Sequence, residues 1–302
     1  MHLGNTVLWE GVPTFFDCIE FNEDFRWTDV MNDVAFMAMD LTFHGRADFA
    51  NYFVNRYFEY TGDYEGAPLL RYYMSYRAMV RAKIAAYLIE QNPENEALVQ
   101  NSLATCRAYL QLAKRLCYPT RYSLTITHGI SGSGKSTASQ RWMMEHGAVR
   151  LRSDVERKRL CDLAIFEPTP IKMKERVYSA ETTQKTFDRL YQLANGLLRA
   201  KMPVVVDAAF LRRKERMQFQ ALATQLDIPF HILKLPIPSD STLEKRLFKR
   251  ACLGNEASDA SFNIALAQKK WMEPLTEDEE VCCILFEPGE GTKTAPEEAE
   301  LY

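Results

Sequence analysis

Residues 127 to 137 read THGISGSGKST, directly after the apolar run YSLTIT. Glycines at 129, 132 and 134 followed by lysine, serine and threonine leave a chain few ways to fold at this point. Glycine reaches backbone conformations closed to other residues, so successive N–H groups can turn toward one anion. An apolar strand before the turn and a helix after it, ending at Gly147, would add the positive end of a helix to the same anion. The spacing Gly129-x-x-x-x-Gly134-Lys135-Ser136 fits the phosphate-binding P-loop. On that reading Gly129, Ser131, Gly132, Ser133, Gly134, Lys135, Ser136 and Thr137 cradle the phosphates of ATP. Lys135 reaches the β- and γ-phosphates, and the Ser136 hydroxyl ligates Mg²⁺. The competing reading is a chance glycine turn, which residue frequencies allow in roughly one chain of this length in a hundred. The flanking strand and helix make it rarer still.

After YPTR at 118–121 the sequence alternates apolar runs with helical patterns. The runs are YSLTIT, AVRLR, PVVVDA, PFHILKL and VCCILF. Helices are predicted over 135–146, 154–163, 174–200, 211–226 and 240–252. Alternation of this kind predicts an α/β fold, a parallel sheet covered by helices on both faces. The part in front of YPTR is different. Residues 6 to 21 read as two short strands around EGVP. Val30, Val34, Met37 and Leu41 then recur at helical spacing up to Gly45, and helices are predicted over 46–60, 67–91 and 93–117. Pro93 suits a first helical position with Asn92 as its cap. Met31, Phe36, Met37, Tyr72, Tyr73 and Tyr76 are read as core positions of this bundle. The expected organisation is a helical domain over 1–118, an α/β domain over 119–288 and a disordered acidic tail over 289–302. The front segment carries ten Lys and Arg against fifteen Asp and Glu, so it is acidic. That argues against nucleic acid as its partner, despite the basic and aromatic residues of YRAMVRAK.

Seven cysteines without a C-x-x-C pair give no zinc or thioredoxin-like pattern. An odd number placed mostly in apolar runs suggests free thiols in a reducing cytoplasm. No basic and apolar leader opens the chain, and no apolar stretch is long enough to cross a membrane.

Further residues select among nucleotide-dependent chemistries. VVVD ends in Asp207, placed to hold Mg²⁺ directly or through water. No Glu follows it, so the acid pair of many hydrolytic motors is missing, and no N-K-x-D guanine signature is present. Asp154 and Arg157 in RLRSDVERKRL are three apart and share one side of a helix start. The carboxylate suits a base for an attacking hydroxyl, and the arginine suits a clamp for acceptor or phosphate oxygens. The plainer alternative is a helix cap and a surface ion pair. Arg246 and Arg250 lie one helical turn apart, as a lid that brings guanidinium groups over a transferring phosphoryl requires. Their plainer reading is a solvated basic helix face.

Residues 122 to 290 resemble the small P-loop kinases that include polynucleotide 5′-kinase, gluconate kinase and the zeta-toxin-like kinases. The resemblance lies in GISGSGKST, RSDVERKRL, VVVDAAFLRRKER and KRLFKRACLGNEASDAS. It implies a three-layer α/β/α sheet and an ATP–Mg²⁺ set of Lys135, Ser136 and Asp207. It also implies Asp154 as acceptor-activating acid, Arg157 as its partner, and Arg246 and Arg250 as lid arginines. The acceptor implied is a small molecule or a nucleic-acid end. HLGN with the hairpin TVLWEGVPTFFDCIEFN resembles the latter half of the aminoglycoside-phosphotransferase catalytic loop, with His2, Asn5 and Asp17 at matching positions. The whole chain thus resembles bacterial fusions of such a domain with a P-loop domain. The catalytic Asp of that loop and the nucleotide-binding lobe have no counterpart here, so His2, Asn5 and Asp17 are expected to be vestigial. Three functions follow: an ATP- and Mg²⁺-dependent kinase, an ATP-binding regulatory protein, and, disfavoured by the incomplete loop, an aminoglycoside phosphotransferase.

Overall fold

Glu10 and Gly11 both adopt positive φ, 49° and 80°, and so form the tight turn of a two-residue hairpin. The turn joins β1 (Thr6–Trp9) to β2 (Val12–Phe15) in antiparallel register, Thr6 opposite Phe15 and Trp9 opposite Val12. The computed structural model describes residues 1–17, 22–118, 121–253 and 257–286. The end of the expected hairpin at 18–21 and the expected tail after 288 lie outside these residues. The chain divides into two units, Met1–Thr120 and Arg121–Tyr302.

Among the described residues of the first unit four α-helices follow the hairpin: α1 (Val30–Phe43), α2 (Ala47–Thr61), α3 (Leu70–Gln91) and α4 (Glu96–Cys117). Asp29 caps α1 by accepting from the Met31 N–H, and Gly62 in the left-handed conformation closes α2. The cap expected at Asn92 is displaced to Asn95. Its side chain accepts from the Leu98 N–H, while Asn92 and Pro93 form the turn before it. Helix α1 packs against α2 and α3, and α3 against α4. Met31, Ala35, Phe58 and Ala78 are fully buried at these contacts. Tyr72 and Tyr76, expected in the core, are exposed. Helix α3 buries Met74 and the small row Ala78, Ala82 and Ala85 instead, which lets its neighbours approach closely and leaves the tyrosines outside.

The second unit is the predicted α/β fold. Among its described residues five parallel strands, β3 (Leu124–His128), β4 (Val149–Arg152), β5 (Val204–Asp207), β6 (Phe230–Lys234) and β7 (Cys283–Leu285), stand in the order β4-β5-β3-β6-β7. Strands β3, β4 and β5 are buried along their whole lengths. The helices are α5 (Lys135–His146), α6 (Ser153–Leu160), α7 (Lys174–Val177), α8 (Ala180–Arg199), α9 (Arg213–Gln225), α10 (Asp240–Leu253), α11 (Phe262–Trp271) and α12 (Glu277–Glu280). The single helix expected over 174–200 is broken at Tyr178 and Ser179, where the Ser179 hydroxyl caps α8 by accepting from the Thr182 N–H. Helix α11 has no counterpart in the sequence reading. The chain runs from β3 out to β4, back to β5, then across to β6. That reversal beside β3 opens a crevice at the carboxyl ends of the strands, where open α/β sheets bind ligands. The six described cysteines are free thiols, and no helix among the described residues is long and apolar enough to cross a membrane.

Candidate nucleotide and phosphotransfer site

The glycine-rich turn leaves the end of β3 and is held by contacts that require glycine. A Cβ at Gly129 would stand 2.7 Å from the Ser133 hydroxyl and 3.1 Å from Leu235. Gly132 has φ +82°, and a Cβ there would meet Leu243 and Leu247 of α10 at 3.0 and 3.3 Å. Gly134, at φ 107°, starts α5 without a side-chain cap, so the free N–H groups of the first turn remain available to an anion. The Lys135 ammonium donates to the Ile130 carbonyl at 2.8 Å, across the loop. Burial lowers its pKa, while the carboxylates of Asp207 and Asp154 act in the opposite direction.

A cleft of about 930 Å³ opens over the carboxyl ends of β3, β4 and β5. Ser131, Gly132, Gly134, Lys135, Ser136, Thr137, Asp154, Arg157, Asp207, Arg246 and Arg250 all line it. Two members of the expected set do not. Gly129 lies at the strand end, and Ser133 is buried beneath the loop with its hydroxyl unpaired. Asp154 sits in the first turn of α6, whose cap position is Arg152, so the plain capping role is not the one it plays. Arg157 is not a surface residue. It is 8% exposed, donates to the Val177 carbonyl at 3.2 Å and the Thr183 hydroxyl at 3.0 Å, and lies 5.3 Å from the Tyr178 ring. Arg246 donates to the loop carbonyls of Gly132 and Ser133 at 3.3 and 3.4 Å, and Arg250 to the Ala260 carbonyl at 2.7 Å.

Asp207 ends β5 and is 5% exposed. Its Oδ2 has no hydrogen-bond partner, and the nearest charge is Arg152 Nε at 3.7 Å. A buried carboxylate oxygen left in this state fits a divalent cation, and the exposed Ser136 hydroxyl lines the same cleft. Among the described residues no three His, Cys, Asp or Glu side chains gather as a metal cage. A Mg²⁺ ion here would therefore take most of its ligands from phosphate oxygens and water, as that cation usually does.

Several cleft residues were not legible in the sequence. Gln268 of α11 accepts from the Ser131 N–H at 2.7 Å, and Arg212 lies 5.5 Å from the Trp271 ring. Glu215 lines the cleft with its carboxyl pKa raised by burial. Asp259 gathers the Thr169 N–H at 3.2 Å, the Thr169 hydroxyl, the Tyr178 hydroxyl at 3.0 Å and the Lys158 ammonium at 3.5 Å. Burial would raise its pKa, but the bonds from Thr169 hold it below the ordinary range. Only the Ser at 261 and the apolar spacing after it hinted at α11, and nothing local pointed to Tyr178. In the first unit His2 accepts from the Gly4 N–H at 2.9 Å, and the Asn5 amide donates to Asp17 at 2.9 Å. Burial, with the charge of Arg81, lowers the His2 pKa.

Residues 124–275 match the model of a family described as an AAA domain. An uncharacterized protein of Mycobacterium tuberculosis (strain H37Rv) is 30% identical over 261 residues, which cover 86% of this chain and 50% of that protein. The chain spans about half the length of the curated relatives it matches. Among solved structures, a gluconokinase from Sinorhizobium meliloti 1021 is similar with a TM-score of 0.38 and 17% identity, over 55% of this chain and 83% of that one. The Mycobacterium tuberculosis APS kinase in complex with AMPPNP and APS is similar with a TM-score of 0.32 and 21% identity, over 50% and 96% of the two chains.

Proposed function

We propose, for a chain that belongs to the AAA domain family over residues 124–275, that the second unit is an ATP- and Mg²⁺-dependent kinase acting on a hydroxyl of a small molecule or a nucleic-acid end. The observation that carries this reading is the assembly of one cleft from three strand ends. It holds a phosphate loop, an acid with a bare oxygen, a second acid at a helix start and two arginines from α10. Lys135 binds the β- and γ-phosphates by exchanging its bond to the Ile130 carbonyl for theirs. Ser136 and Asp207 would hold Mg²⁺, which when bound neutralises phosphate charge. Asp154 accepts the proton of the acceptor hydroxyl as that oxygen attacks. Arg246 and Arg250 meet the negative charge that spreads over the transferring group. Arg157 orients the acceptor beside Asp154.

The test is ADP formation and label transfer from Mg·ATP with a panel of sugars, sugar acids, nucleotide sugars, 5′-hydroxyl oligonucleotides and aminoglycosides. One acceptor should raise turnover and carry the label, and Lys135→Ala should lower that rate at least 100-fold. A Lys135→Ala protein with unchanged turnover would sink the assignment. Tight ATP binding with flat turnover across the panel would favour a regulatory, ATP-binding role. For the first unit, the reading as a vestigial aminoglycoside-phosphotransferase-like lobe is supported by the match at His2, Asn5 and Asp17 and by the Asn5–Asp17 hydrogen bond. Drug phosphorylation that survives Lys135→Ala would instead assign activity to that unit.

A further inference from the structure

We propose that the acceptor carries a flat heteroaromatic ring, a nucleobase, which stacks on the indole of Trp271 while its hydroxyl is presented to Asp154. This rests on the kinase reading above and names the class of its acceptor.

Tryptophan is on average a well-buried residue. The second unit's Trp142 follows that habit and is 4% exposed. Trp271, at the end of α11, is 47% exposed and lines the cleft. It is nevertheless firmly mounted. The next residue, Met272, packs with Phe262 against Ile130, Leu211 and Leu243. One residue further, the Glu273 N–H donates to the Leu211 carbonyl at 2.9 Å, and the Glu273 carboxylate accepts from the Arg213 N–H. Between those two bonds Arg212 sets its guanidinium 5.5 Å from the indole, a cation–π contact. The ring is thus a fixed panel of the wall with apolar area turned to the cleft. Ile264 and Gln268 precede it at one-turn spacing and line the same cleft, as does Leu211. A helix face built this way is held for a ligand that can cover it.

The neighbours of the indole decide what that ligand is. Leu211 and Ile264 offer no hydrogen bonds, so a polyol laid against them would lose water from its hydroxyls without replacement. A base presents apolar faces to such a wall and keeps its polar atoms at the rim, where Gln218 of the same cleft is available. The strand order decides which substrate brings the ring. Strand β5 stands between β3, which carries the phosphate loop, and β4, which leads to Asp154. Trp271 is fastened to residues 211–213 of the segment that follows β5, so it borders the space between the phosphate loop and Asp154. In-line transfer places the acceptor on that side of the phosphoryl group and the ADP on the opposite side. The adenine of ATP therefore leaves in the other direction, and the ring on Trp271 belongs to the acceptor.

The test uses the full chain, first titrated with the β,γ-imido analogue of ATP and Mg²⁺ by calorimetry. The loaded protein is then titrated with the four deoxynucleosides, with 5′-hydroxyl dinucleotides, and with the same deoxyribose bearing hydrogen in place of the base. At least one base-bearing probe should bind about 10-fold or more tightly than the base-free sugar, as stacking on an aromatic ring implies. Whether nucleosides or dinucleotides respond tells a free nucleoside from a nucleic-acid end. Trp271→Ala should erase the preference while affinity for the imido analogue changes less than about 2-fold. Trp271→Phe, which keeps a ring and serves if the alanine variant does not fold, should retain part of the preference. The base should also quench tryptophan emission in the wild type and not in Trp271→Phe. The inference is overturned if the analogue binds but no base-bearing probe outdoes the base-free sugar, or if the preference survives Trp271→Ala. It is overturned equally if Trp271→Ala weakens the analogue as much as the acceptor, since the indole would then hold the adenine of ATP. Failure of the analogue itself to bind is a separate result, which removes the kinase reading and this inference with it.

Discussion

Glu279→Leu isolates the energetic role of the best-formed buried ion pair in the second unit. Glu279 sits in the short helix α12 and receives two bonds from the fully buried Arg216 of α9, Nε to Oε1 at 2.7 Å and Nη2 to Oε2 at 3.0 Å. It also closes a capping box with Thr276, whose N–H donates to Oε2 at 2.9 Å. Removing the carboxylate leaves a guanidinium with only the carbonyls of Phe210, Glu273 and Pro274. A bare buried charge of this kind costs about 3–5 kcal/mol, and the lost cap adds about 1 kcal/mol. For a unit of this size each kcal/mol shifts the melting temperature by about 2–4 °C, so the transition should fall by roughly 8–24 °C. Differential scanning calorimetry of the full chain at pH 7 reads this directly. Arg216→Met combined with Glu279→Leu removes both charges and should recover most of the loss, because an apolar pair of similar volume is often neutral or better. Acid supplies a second arm. Burial pushes the Glu279 pKa up, but the bond and charge of Arg216 outweigh it and hold the carboxyl below its ordinary range. Such a group stabilises the fold fully above the unfolded glutamate pKa of about 4.3, and the contribution is lost as pH falls through the depressed value. The gap between wild type and Glu279→Leu should therefore close in strong acid. A single variant costing less than about 1 kcal/mol, or a double variant as unstable as the single, refutes the charge-burial reasoning.

Three further outcomes follow from the site. Gly132→Ala forces a side chain into the left-handed region against α10, a strain of about 1–2 kcal/mol. Equilibrium titration should show nucleotide affinity reduced about 10-fold, about 1.4 kcal/mol. Asp207→Asn removes the carboxylate with the bare oxygen, so the Mg²⁺ concentration for half-maximal ATP turnover should rise at least 10-fold; an unchanged requirement would take Asp207 out of the cation site. His128 is buried, donates from Nδ1 to the Phe210 carbonyl at 3.0 Å, and has its pKa lowered by burial. Its depressed pKa means stability is present above the unfolded value of about 6.5 and is lost as pH falls below it. Urea midpoints between pH 7 and 5 should decline less steeply in His128→Asn.

The sheet and the phosphate loop were legible because both are written locally. Strands β3 to β5 are short apolar runs bounded by turn residues, and the loop is a spacing of glycines that few other structures demand. Asp207 was legible as the acid that closes such a run. What stayed hidden depends on competition or on distance. Asn92 and Asn95 are equally good caps three residues apart, and only packing of α4 decides between them. The break at Tyr178 cannot be seen in a pattern that reads as helix throughout 174–200, because the Ser179 cap competes with helix continuation. That break lets the Tyr178 ring lie beside Arg157 while its hydroxyl reaches Asp259. Gln268 and Trp271 enter the cleft from α11, and no local signal ties a glutamine to an amide far up the chain.

The phosphate loop is braced by partners that are synthesised well after it. Ser131 is held by a residue 137 positions downstream, and the Gly132 carbonyl by one 114 positions downstream. Strand β3, which carries the loop, needs β5 and β6 on its two sides before its own backbone is paired. A ribosome that has released the glycines has therefore made an unfinished cradle, and contacts of such long range are among the slowest to form. Nucleotide capture therefore waits until translation has passed α11. Nascent chains arrested before α11 should fail to retain an ATP analogue that chains extended beyond α11 hold.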